Sequence, residues 1–171
     1  MSLNLVGGLF FIRSRLHGKV IHVPGPEAAA VCSSIDVGRA ALPKQLFEVT
    51  PAAADDSGEY FFLTNVGAKM VLDVEGGEQA TGRIMAWTNN ATDNQMWRAD
   101  AVGGGNTGVF YVASKMDGAV LDVRESDEED GAEIISYPCY ETTNQQWEFV
   151  DVTTALAEEA AWVNGQGSNG R

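Results

Sequence analysis

The sequence repeats itself three times, so its fold must let three copies of one unit complete each other. The first copy runs from LFFIRSRLHGKVIHV (9–23) to KQLFEV (44–49). The second runs from YFFLTNVGAKMVLDV (60–74) to NQMWRA (94–99), and the third from VFYVASKMDGAVLDV (109–123) to NQQWEF (144–149). Three sets of positions keep step. Phe47, Trp97 and Trp147 are 50 residues apart. His22, Asp73 and Asp122 are 51 and then 49 apart, and Ile12, Leu63 and Val112 follow the same two intervals.

Each copy reads as several short strands. FFI, YFF and VFYV are rich in residues that suit a pleated, half-buried surface. VIHV and the two VLDV segments alternate apolar with polar, and RIMAW (83–87) and EIISY (133–137) supply a further strand after a loop. No stretch within 9–150 keeps a 3.6-residue period over three turns. Ala52 to Gly58 and Val102 to Gly108 look like joints, and 19 glycines against 5 prolines favour tight turns. A solenoid would need distinct capping repeats. A closed threefold barrel lets each copy bury its apolar face against the other two and leaves no long free edge. The expected fold is therefore all-β with pseudo-threefold symmetry, a single domain over residues 9–150 with repeats at about 9–50, 60–100 and 109–150. Residues 1–8 form a leader and 151–171 a tail, in which TALAEEAAWVN (154–164) predicts a short helix. Trp162 is left either docked on the barrel or on a partner surface.

Charge narrows the partners. The formal net charge is −13, from 24 acidic and 11 basic residues. Such a chain repels phosphate backbones, anionic membranes and heparin-like polyanions, and leaves neutral sugars unaffected. No run approaches the ~20 apolar residues of a membrane span. Met1 to Phe11 is apolar but lacks a basic n-region and a small-residue cleavage site, so a cytoplasmic or non-classically secreted protein is expected. Cys32 and Cys139 occupy different places in the repeat and are expected to stay unbridged. Two histidines, with no H-E-x-x-H and no C-x-x-C, predict no metal site and no cofactor. ESDEED (125–130) reads as a solvated loop. No G-x-S-x-G, phosphate loop or nucleophile with a supporting His is found, so no catalytic residues are expected. Asp73 and Asp122 sit at equivalent places in different repeats, too far apart for a two-carboxylate mechanism.

The order VLDV, then IMAW (84–87) or IISY (134–137), then NQMW (94–97) or NQQW (144–147) resembles the ricin-type β-trefoil lectins over about residues 9–150. The resemblance implies a β-trefoil whose core holds Trp97, Trp147 and Phe47, with Gln45, Gln95 and Gln145 fixing strand and loop. It also implies two carbohydrate sites, one of Asp73, Trp87, Asn94 and Gln95, the other of Asp122, Tyr137, Asn144 and Gln145. A carboxylate can hold two neighbouring hydroxyls, a ring offers a flat face to sugar C–H groups, and an amide both donates and accepts. In that family the matching positions bind galactose-type sugars, and glycans are the partners implied, with self-association compatible. Met85 and Ile135 stand where many members carry Gln, which softens the galactose inference. In repeat one His22 replaces the Asp, Lys44 replaces the Asn, and Cys32 and Ser34 fall where the strand and its aromatic belong, so no sugar is expected there. His22 is read as an ordinary strand residue. The alternative function is a protein-binding β-trefoil, such as a protease inhibitor acting through one exposed loop.

Overall fold

A computed structural model describes residues 5–52, 59–77 and 82–166. Six strands make a closed barrel: β1 (Leu9–Ser14), β4 (Phe47–Pro51), β5 (Phe61–Asn65), β8 (Trp97–Ala101), β9 (Val109–Ser114) and β12 (Trp147–Asp151). Each pairs antiparallel with the next, and β12 returns to β1 through Phe11↔Val150 and Ser14↔Trp147. Three hairpins cap one end: β2 (Val20–His22) with β3 (Val31–Ser33), β6 (Met70–Val74) with β7 (Ile84–Trp87), and β10 (Val120–Val123) with β11 (Ala132–Tyr137). The hairpins touch in a triangle through Cys32↔Ala132, Ala29↔Met85 and Arg83↔Ile135. This is a β-trefoil, and each hairpin leans on its two neighbours.

The repeated positions explain why the barrel closes. Ile12, Leu63 and Val112 all have zero exposure, as do Ile21, Leu72 and Leu121. Threefold-related apolar side chains join in one core cluster, and each repeat alone would leave them in water. Phe10, Phe61 and Phe110 each set an edge against Phe149, with centroids 5.9, 6.3 and 6.0 Å away. The two indoles also carry a polar bond. Trp97 Nε1–H donates to the Leu72 carbonyl at 3.0 Å, and Trp147 Nε1–H to the Leu121 carbonyl at 2.9 Å. A buried indole must place its N–H, and here it ties the barrel to the hairpin strand one residue before Asp73 or Asp122. Phe47 fills the same place in repeat one without an N–H to satisfy.

The tail helix spans Val152–Gln166, longer than the 154–164 expected. Asp151 Oδ1 accepts from the backbone N–H groups of Thr153 and Thr154, which caps the helix start. Ala155 packs with Phe11, Val20, Leu46 and Val150, and Arg13 bonds both Glu148 and Glu158. Trp162 stays 64% exposed, so it does not dock on the barrel.

Cys32 lies buried on β3, and Cys139 is exposed after β11, so the two are unbridged. Burial pushes the Cys32 thiol up to about 12, with Lys19 opposing the shift slightly and Asp130 adding to it. A thiol held protonated and out of solvent is inert. An Ellman titration of the folded protein at neutral pH is therefore expected to count one reactive thiol, and a second only after denaturation. Two fast-reacting thiols in the native state would contradict this packing.

The 125–130 loop is exposed, as expected, but it is more than a solvated run. Asp130 Oδ1 accepts from both the N–H and the hydroxyl of Ser34, at 2.8 and 2.9 Å. Lys19 reaches the Glu128 carbonyl and lies 3.9 Å from Asp130. The third hairpin is thereby clasped to the first.

Candidate functional site

Pairing register brings the candidate residues of each hairpin together. Asp122 stands opposite Ile135 and Val120 opposite Tyr137; likewise Asp73 stands opposite Met85 and Val71 opposite Trp87. With a two-residue period, carboxylate and aromatic share the outer face of the hairpin, while Leu121 and Leu72 point to the core. A short 3-10 turn then delivers the amides, at Asp93–Gln95 in repeat two and Thr143–Gln145 in repeat three.

The amides lock the carboxylates. Gln145 Nε2 donates to Asp122 Oδ2 at 2.8 Å and to the Pro138 carbonyl at 2.9 Å, while its Oε1 accepts the Tyr140 N–H at 2.8 Å. Gln95 repeats this with Asp73 Oδ2 at 2.8 Å and with Thr88 and Asn90, both at 2.9 Å. Both glutamines have zero exposure. Their amide hydrogens and oxygen are all bonded within the protein, so in this structure Gln95 and Gln145 position the carboxylates. Asn144 Nδ2 donates to Asp122 Oδ1 at 3.0 Å and to the Val123 carbonyl at 3.1 Å. Asn94 Nδ2 donates to the Val74 carbonyl at 3.0 Å. Both amide hydrogens of Asn144 are used within the protein, which leaves its Oδ1 as an acceptor for a ligand.

Asp73 and Asp122 are each only 5% exposed. Burial pushes both carboxyls above the usual carboxylate range, and the Gln and Asn bonds pull them back only in part. Glu75 nearby pushes Asp73 up a little further. Of roughly four lone-pair positions, Asp122 spends two on amides and Asp73 one on Gln95, and the rest are left for hydroxyl donors. Beside them Trp87 is 39% and Tyr137 47% exposed, unusual for rings of this size. Met85 and Ile135, directly across from the carboxylates, give an apolar floor in place of a further hydrogen bond.

Repeat three opens into a cleft of about 610 Å³ whose lining includes Asp122, Glu125, Tyr137, Tyr140, Asn144, Gln145, Arg124 and Gly82. Tyr140 was not among the expected residues. It is 67% exposed, with its ring centroid 6.0 Å from that of Tyr137. The signal was present in YPCY (137–140), a second ring three residues after the first. Gly82, from the second hairpin, is a contribution only the assembled triangle reveals.

Repeat one lacks the constellation. The register Val20↔Ser33 puts Ser33, not Ser34, at the place of the aromatic, and His22↔Val31 puts His22 at that of the aspartate. Gln45 keeps its bonds to the Ser34 carbonyl and the Asp36 N–H, both at 2.9 Å. The scaffold survives without carboxylate or ring. His22 Nδ1 is buried without a partner, and burial, with help from Lys44, holds this imidazole below its ordinary value.

A family model described as a ricin-type β-trefoil lectin domain-like unit matches residues 43–137 and 93–163, together more than two-thirds of the chain. Among solved structures, the designed threefold-symmetric protein ThreeFoil is 26% identical, with a TM-score of 0.73, covering 85% of this chain and 99% of that one. An exo-β-1,3-galactanase from Clostridium thermocellum is 25% identical, with a TM-score of 0.71; the match covers 85% of this chain and 30% of the enzyme. The C-half of the earthworm R-type lectin, solved with GalNAc, is 22% identical, with a TM-score of 0.59, covering 84% of this chain and 98% of that one. No curated protein sequence matches significantly.

Proposed function

This chain belongs to the ricin-type β-trefoil lectin-like family, and from that premise we propose that it binds galactose-type sugars on glycans through two sites. One site is Asp73, Trp87 and Asn94, the other Asp122, Tyr137 and Asn144. The observation that carries the reading is the duplication of one arrangement. A buried carboxylate held by a glutamine lies beside an exposed ring in repeats two and three, and both the carboxylate and the ring are gone from repeat one. A scaffold that needed the aspartate for folding would keep it in all three copies. The carboxylate accepts from two neighbouring sugar hydroxyls, the ring covers the C–H face, and the asparagine Oδ1 accepts a further hydroxyl. The galactanase, 25% identical, acts on a galactan by its name, which fits a galactose-type ligand.

Binding without turnover is part of this reading: Asp122 is engaged by two amides, and the other carboxylate lining the repeat-three cleft, Glu125, lies on an exposed turn. A glycan array followed by calorimetry tests the reading. Galactose-terminated glycans are expected to be retained, with two sugars bound per chain at about millimolar affinity, roughly −4 kcal/mol. Multivalent display should raise the apparent affinity where the span fits. An empty array together with inhibition of a protease panel would favour a protein-binding module instead.

A further inference from the structure

The two sites differ beyond the shared carboxylate, ring and amide, and the difference lies one ring further out. In repeat three the backbone N–H of Tyr140 bonds Gln145 Oε1; in repeat two the N–H of Asn90 bonds Gln95 Oε1 in the same way. Tyr140 and Asn90 are therefore structural equivalents, held at the same height above the buried glutamine. The Tyr140 ring is the more exposed of its pair, at 67% against 47% for Tyr137. The rings are 6.0 Å apart and inclined by 40°. Two exposed rings tilted along one open cleft of about 610 Å³ offer two successive apolar faces rather than one. A pyranose on Tyr137 with its hydroxyls on Asp122 leaves the Tyr140 face for whatever the sugar is joined to. Repeat two presents an amide there, which offers no flat apolar surface.

Resting on the proposed function, we infer that the repeat-three site reads two consecutive sugar rings, with Tyr140 as the specificity-determining residue for the second, while the repeat-two site reads a terminal sugar alone. The ligand class for repeat three is a disaccharide end, with the charged contact at the terminal ring and an uncharged stacking contact at the next.

The test isolates each site in the full chain. Asp73→Asn leaves only repeat three able to bind, and Asp122→Asn leaves only repeat two. Galactose and lactose are titrated into each by calorimetry. Asp73→Asn is expected to bind lactose about five- to tenfold more tightly than galactose, as one added stacking contact would give. Asp122→Asn should show a ratio near one. Adding Tyr140→Ala to Asp73→Asn should bring the lactose-to-galactose ratio down to near one, and Tyr140→Phe should keep it, since the ring and not the hydroxyl is used. Equal ratios at the two sites would overturn the inference, as would a preference that survives Tyr140→Ala. If the wild-type chain binds neither sugar, the galactose reading itself fails, which is a different result from binding both without preference.

Discussion

Replacing Asp73 and Asp122 together by Asn is expected to abolish sugar binding and leave the protein folded. Each carboxylate supplies charge-assisted acceptors that a neutral amide cannot match. Losing such bonds costs about 1.5–3 kcal/mol per site, roughly a tenfold to hundredfold drop from an already weak affinity. Stability should move the other way or not at all. The folded-state pKa of both groups is raised, chiefly by burial. Between the ordinary carboxylate pKa of about 3.9 and the raised value, the folded protein holds more protons than the unfolded chain. Stability therefore falls as pH rises through that window, and above it the two ionised carboxylates are a net cost. Asn removes that cost and can turn its Oδ1 toward Gln95 or Gln145, while in repeat three its own Nδ2 then faces the Asn144 donor and offsets part of the gain. The double variant should melt near the wild-type temperature, measured by circular dichroism beside calorimetry with galactose. The same raised values predict that wild-type sugar affinity weakens on acidification at a pH above the ordinary carboxylate range. Wild-type stoichiometry in the folded double variant would remove these aspartates from the site.

Trp147→Ala is expected to have the opposite signature, a large loss of stability. The indole has zero exposure and holds the Leu121 carbonyl at 2.9 Å. Truncating a buried Trp costs about 3–5 kcal/mol, against a total of roughly 5–15 kcal/mol for a domain. The variant should be partly unfolded at room temperature, with its urea midpoint sharply lowered. Trp147→Phe should be milder, because repeat one already uses Phe47 at this place with zero exposure. It still leaves the Leu121 carbonyl without the indole donor, at about 1–3 kcal/mol. If Trp147→Ala melted like the wild type, the indole would not be a core anchor, and the strand carrying Asp122 would need another support.

The sequence by itself determined the threefold all-β architecture, because a 50-residue interval kept by apolar and aromatic positions leaves few ways to bury them. It also determined that Trp97 and Trp147 are core, that repeats two and three carry a carboxylate, a ring and an amide, and that repeat one does not. The division of labour among the polar residues was legible only in part. Whether Gln95 and Gln145 face the ligand or the carboxylate depends on a turn placing them against a residue 22 or 23 positions earlier. Sequence spacing does not encode that direction. The aromatic position of repeat one fell on Ser33 rather than Ser34 because one step of register moves a side chain to the other face of a strand. Gly82 at the third cleft and Asp130 on Ser34 join residues of different repeats, and these contacts exist only once the three hairpins have closed into a triangle. Local pattern decides which face of a strand is apolar; tertiary structure alone decides which polar groups of distant strands satisfy one another, since a buried donor or acceptor takes whichever partner the fold brings within about 3 Å.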